Sequence, residues 1–135
     1  MKFPTYLTFP LPLPIPLLAL LSPVIALDYI STYNLQSARW DAKLIDTLNN
    51  VTCNITYTDI SSLLTADAEG YLSSPIAIVI PCDNVDYIAT TVVGTESSMI
   101  SYTVPGKEAF VFESGKRSVL EDGEVIQLVY GVAFD

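Results

Sequence analysis

Between Asn50 and Thr58 apolar and polar residues alternate, with Val51, Cys53, Ile55 and Tyr57 on one side and Asn50, Thr52, Asn54 and Thr56 on the other. A period of two marks a strand with one face on a core and the other in water. The stretch before it has a different period. From Ser31 to Asn49, Trp40, Leu44, Ile45 and Leu48 recur three and four residues apart, and Leu35 and Ala38 extend the stripe by a turn. Asp41, Lys43 and Asp46 fall largely off that stripe, so the spacing predicts a helix that stops at Asn49-Asn50. Trp40 would then anchor the helix in the core beneath a sheet. A second, shorter helix is predicted over Asp59 to Gly70, with Asp59 as its cap, Ile60, Leu63 and Leu64 as its buried face and Gly70 as its stop.

The remainder reads as strands and turns. Ile76 to Ile80 is nearly all apolar and β-branched, which predicts a central strand covered on both faces. Tyr87–Val93, Met99–Val104 and Glu108–Glu113 follow as strands. Pro105-Gly106 supplies the residues a type II turn requires at its two central positions. Asp122-Gly123 between apolar runs predicts a hairpin joining Ser118–Leu120 to Val125–Phe134. The fold class expected is mainly β with an α+β element: an antiparallel sheet of six to seven strands, or a two-sheet sandwich, with the N-terminal helix packed on it.

Residues 1–26 fit neither period. They carry one charge, Lys2, then an apolar stretch rich in Leu, then Val24-Ile25-Ala26, the three regions of a secretory signal. Cleavage is expected after Ala26, leaving one domain over residues 27–135. Pro10, Pro12, Pro14 and Pro16 forbid a helix through the middle of the segment, so a retained membrane anchor is not expected. The apolar run Val125 to Phe134 is too short to span and is followed by Asp135.

Lys2 is the only charged residue of the leader, so the mature chain keeps 5 basic and 15 acidic residues, a net charge of −10. Such a chain repels phosphate backbones and anionic membranes, which excludes nucleic acid from the expected partners. In an oxidising compartment Cys53 and Cys82 are expected to pair. Asn50-Val51-Thr52 and Asn54-Ile55-Thr56 are acceptor sequons for N-glycosylation, both expected on the wet face of one strand.

Histidine is absent from the chain, which removes histidine general bases, nucleophile triads and histidine metal sites. Carboxylate pairs drawn from Asp83, Asp86, Glu113, Glu121, Asp122 and Glu124 read better as turn residues than as catalysts. No catalytic residue, metal ligand or cofactor is therefore assigned. Tyr57, Tyr102 and Tyr130 read as core, whereas Tyr29, Tyr33, Tyr71 and Tyr87 sit near segment ends and are expected to be free for a partner. Lys116-Arg117 is a dibasic pair in an expected turn, a candidate for secretory-pathway processing.

The whole profile is similar in kind to small secreted effector-like proteins of microbes, a likeness of composition that assigns no residue. The expected function is non-enzymatic binding of an extracellular or host protein. The alternatives are a carbohydrate-binding or carbohydrate-active domain and a structural wall or surface protein.

Overall fold

Where the sequence predicts its first helix, the computed structural model has a β-hairpin. Strands β1 (Ala26–Asn34) and β2 (Trp40–Asp46) pair antiparallel, with Tyr33 opposite Trp40 and Leu27 opposite Asp46. The structure describes residues 26–134; the expected leader, Ala26 apart, lies outside them. Leu27, Tyr29, Ser31 and Tyr33 of β1 and Trp40, Ala42, Leu44 and Asp46 of β2 all point inward and are buried. Two of these inward residues, Ser31 and Asp46, are polar, while Ile30 and Ile45 point outward. That inversion hides the period of two and leaves a false helical stripe. The turn between the strands is built by Asn34, whose Oδ1 accepts the N–H groups of Gln36 and Ser37, each at 2.9 Å. Ala38 then takes a left-handed φ of 61°. An Asx turn of this kind diverts the chain from helix. Trp40 is a core anchor as expected, but it is held by a strand.

The second expected helix is also absent. Ile60 and Leu64 are buried, yet they are held by a turn in which Leu63 and Leu64 donate their N–H groups to the Ile60 carbonyl. The chain then forms a small ladder of β4 (Thr65–Ala66) and β5 (Leu72–Ser73). A polar stretch with Asp59, Ser61 and Ser62 prefers local side-chain bonds, and Asp59 Oδ1 accepts both the N–H and the hydroxyl of Ser61.

Eleven strands are formed among the described residues, more than the six or seven expected. β3 (Val51–Tyr57) pairs with β2, and β6 (Ile78–Ile80), β7 (Ile88–Val92), β8 (Met99–Thr103) and β9 (Phe110–Glu113) form an antiparallel meander. β10 (Ser118–Val119) and β11 (Glu124–Ala133) return to β1. The result is a five-stranded sheet in the order β10-β11-β1-β2-β3 and a four-stranded sheet in the order β6-β7-β8-β9. The run expected as a central strand is therefore an edge: β6 pairs only with β7, and Val79 stands in solvent.

Both turn motifs form as read. Gly106 has φ 79°, and Lys107 donates its N–H to the Val104 carbonyl at 3.1 Å, as a type II turn requires. Gly123 has φ 84°, and Ser118 and Val119 pair with Ile126 and Val125 across that turn.

The two sheets are stitched at both margins. Cys53 on β3 and Cys82, just past β6, form the expected disulfide and an antiparallel bridge. Around it Asn54 N–H donates to the Pro81 carbonyl and Asp83 N–H to the Thr52 carbonyl, at 3.0 and 2.9 Å. At the opposite margin the chain runs straight from β9 in one sheet to β10 in the other, and Gly115 N–H donates to the Leu128 carbonyl at 2.7 Å. Strands that switch sheets in this way close the corners of a sandwich.

The shared core is aliphatic and aromatic, with Trp40, Tyr29, Tyr102, Leu27, Leu44, Ile80 and Ile100 fully buried. Polar pairs span it. The Tyr102 hydroxyl donates to Asp46 Oδ2 at 2.7 Å, and Gln127 bonds Ser98 through Oε1 and donates through Nε2 to the Gly94 carbonyl at 3.1 Å. Since Asp46 lies on one sheet and Tyr102 on the other, these bonds fix how the sheets face each other.

Candidate functional site

Alternation within a strand gives each sheet an outer face, and the two outer faces differ. On the four-stranded sheet the register sets Val79, Thr90, Ser101 and Val111 in one row across all four strands. A second row is Val92, Met99 and Glu113, and a third pairs Ile88 with Thr103. Val79, Ile88, Val92, Met99 and Val111 are all exposed; Val79 is 58% and Val111 54% accessible. The only charged side chain on these rows is Glu113, at the margin, where its Oε2 accepts the Ser97 hydroxyl at 2.6 Å.

A shallow groove of about 260 Å³ continues this face around the β6–β7 corner, lined by Val79, Pro81, Val85, Tyr87 and Ile88. Val85 at its lip is 89% exposed. At strand spacings of ~4.8 Å and ~3.3 Å per residue, the sheet face covers roughly 300 Å². Thr90 and Ser101 lie between Val79 and Val111, so the interior of this face is aliphatic and hydroxylic and carries no charge. Charge lies around it. Between Ile76 and Glu113 there are five acids (Asp83, Asp86, Glu96, Glu108 and Glu113) against one base, Lys107.

The five-stranded sheet carries the second candidate, a groove of about 400 Å³ across β1, β2 and β3. The side chains turned outward into it are Ile30, Lys43 and Asn54 in one row and Thr32, Asp41 and Thr56 in the next, while Ala42 and Ile55 turn theirs to the core beneath. Lys43 lies directly opposite Asn54 in the ladder. Asp41 is bonded to Thr56 and to the Arg39 guanidinium, and these bonds hold its carboxyl below the usual carboxylate range despite the opposing effect of partial burial.

Asn54 and Asn50 are both exposed, but they sit in different settings. Asn54 is on the strand face, as expected. Asn50 is not: it belongs to the turn before β3 and takes a left-handed φ of 55°, a conformation asparagine tolerates better than most residues.

The four tyrosines expected to be free are not equivalent. Tyr29 and Tyr33 are 0% and 5% exposed, because β1 lies inside the five-stranded sheet and turns its odd-numbered side chains inward; neither can meet a partner. Tyr71 is partly exposed, but the Arg117 guanidinium covers one face of its ring at 3.7 Å from the centroid. Tyr87 stacks on Tyr102 with ring centroids 6.1 Å apart. Tyr130, read as core, is exposed, since β11 turns Val125, Gln127 and Val129 toward the side of the buried Tyr33, Ser31 and Tyr29, which leaves Tyr130 on the outer side.

The dibasic pair is split as well. Lys116 is exposed, while Arg117 is half-buried. Arg117 donates from Nη1 to the Glu69 carbonyl at 3.0 Å and from its backbone N–H to the Glu96 carbonyl at 2.7 Å. Of the acids weighed as carboxylate pairs, Asp83 accepts the Thr52 N–H through Oδ1 and Asp122 accepts the Glu124 N–H through Oδ1. Among the described residues no group of three or more acids and cysteines is gathered to hold a metal, and no helix is long and apolar enough to cross a membrane.

The uncharged face was hard to find from sequence. Its residues are scattered over four strands and become one surface only through the register; the single local hint was the aliphatic run Ile76–Ile80. Comparison with protein-family models, with curated proteins and with solved structures finds no match to this chain.

Proposed function

We propose that this chain is a secreted, non-enzymatic binding module that engages an extracellular protein through the outer face of its four-stranded sheet. The observation that carries the reading is the set of five exposed aliphatic side chains (Val79, Ile88, Val92, Met99 and Val111) with no charge between them, on a chain of net charge −9. Solvent gives no reason to keep that face apolar, and a partner does. The acidic loops around it favour a partner whose own apolar patch is ringed by lysine and arginine. Because a standard interface buries about 800 Å² on each side, the contact also takes in Val85 and the loops at the sheet margin.

Support for the extracellular setting comes from the leader motif, the buried disulfide and the two exposed sequons. The carbohydrate-binding alternative loses ground, since Tyr71 and Tyr87 each have a ring face already covered.

The test begins by capturing partners from an extracellular protein fraction with the intact secreted chain, then measuring affinity with each purified candidate. The paired variant Val79→Asp with Val111→Asp should lose at least about tenfold in affinity while keeping the parent melting curve. Association by the parent should slow as salt rises, since the acidic rim steers the encounter. A genuine partner that binds the double variant as tightly as the parent would remove this face from the function.

A further inference from the structure

We propose that the groove on the five-stranded sheet is the seat of an N-linked glycan on Asn54, whose first N-acetylglucosamine residues lie back along the row past Lys43 onto Ile30. The acceptor is itself a wall of the groove, and its sequon is complete, with Thr56 two residues on and on the same face. The groove matches a sugar. Ile30 offers an aliphatic surface to the C–H face of a pyranose, and Thr32, Lys43 and Asp41 stand around it as hydrogen-bonding groups for hydroxyls and the acetamido group. A glycan so placed covers Ile30, an apolar side chain on the outer face of β1.

Thr56 is bonded to Asp41, and Asn54 sits in a finished ladder opposite Lys43. The folded strand therefore cannot bend into an acceptor conformation, and transfer belongs to the chain before β3 pairs with β2. The step forms a C–N bond from the Asn54 amide nitrogen to the anomeric carbon of a lipid-diphosphate-linked oligosaccharide. The anomeric C–O bond breaks, and the lipid diphosphate and one amide proton leave. This inference rests on delivery to a eukaryotic secretory lumen, and it is independent of the partner-binding face.

Asn50 is the internal control, because its side chain is exposed in a turn and lies outside the groove. The experiment is to secrete the full chain from a eukaryotic host, map both sequons by peptide mass, and time the release of each glycan by an amidase on folded and on unfolded protein. The Asn54 glycan should be present and should leave the folded protein about tenfold more slowly than the Asn50 glycan, the ratio expected from burying roughly 60 Å² of sugar C–H surface. Unfolding should abolish the difference, and Ile30→Ser should shrink it without touching release at Asn50. If the Asn50 sequon is not occupied, the Ile30→Ser comparison on Asn54 alone decides. An Asn54 left bare, or one released equally fast in the parent and in Ile30→Ser, overturns the proposal.

Discussion

The two sheets share one core and present opposite outsides. The outer face of the five-stranded sheet mixes Asp28, Asp41 and Lys43 with threonines and the Asn54 sequon. The outer face of the four-stranded sheet has Val79, Ile88, Val92, Met99 and Val111 with only hydroxyl residues between them. Inward positions on both sheets answer to the same requirement, to be apolar or to be hydrogen-bonded, and they do so alike. Outward positions answer only to what lies outside, so the contrast between them carries information about surroundings rather than about folding.

The largest effect should come from confusing the inside with the outside. Ile78 and Val79 are neighbours on β6, 3% and 58% exposed. Ile78→Asp should abolish folding, since it buries an unpaired charge; circular dichroism of a normally folded Ile78→Asp chain would contradict the inward placement. Next comes the stitch between the sheets. Reducing Cys53–Cys82, which closes a separation of 29 residues, should cost about 3–4 kcal/mol. A melting curve unmoved after thiol titration confirms reduction would show that the remaining corner contacts suffice.

Tyr102 tests the polar link across the core. Tyr102→Phe leaves the buried Asp46 carboxylate without one of its donors and should cost about 2–3 kcal/mol, read by denaturant titration. The same residue sets a response to alkali. Burial first, and then the Asp46 carboxylate that accepts its hydroxyl, hold the Tyr102 phenol protonated well above the ordinary value of 10.0, and burial does the same for Tyr29. In the unfolded chain these phenols ionise near pH 10. Above that pH the unfolded state has shed protons that the folded state keeps, so this stabilisation is intact below about pH 10 and falls as pH rises further. Phenolate absorbance should therefore appear together with unfolding for these two residues, and an early, reversible titration of all tyrosines in the folded protein would count against it.

Smaller effects distinguish the outer surfaces. Asn50→Gln should cost about 1 kcal/mol because it puts an ordinary side chain into a left-handed turn, whereas Asn50→Gly removes the same sequon at little cost. Val79→Asp, one residue from the most damaging substitution, should change stability by no more than about 0.5 kcal/mol.

The turns were legible because their chemistry is local: Pro105-Gly106 and Asp122-Gly123 specify their backbone angles whatever surrounds them. The disulfide was legible from counting, with two cysteines and one way to pair them. The β1–β2 hairpin was not, because its decisive inward residues Ser31 and Asp46 are polar and become tolerable inside only through partners distant in sequence, as Asp46 does through Tyr102. Tyr29 and Tyr33 were misplaced for the same reason. Once the hairpin is taken for a helix, nothing in the local pattern says which tyrosines face the core.

By itself the sequence determined the antiparallel β character, the turn positions, the cysteine pairing, the acidic surface and the absence of any histidine chemistry, since each depends on residue identity or on spacing over a few positions. Tertiary structure alone decided that Ile76–Ile80 contributes an edge, that Arg117 shields Tyr71, and that five aliphatic residues from four strands make one face. Those outcomes depend on strand order and register, which arise from the packing of residues far apart in the chain and leave no local trace.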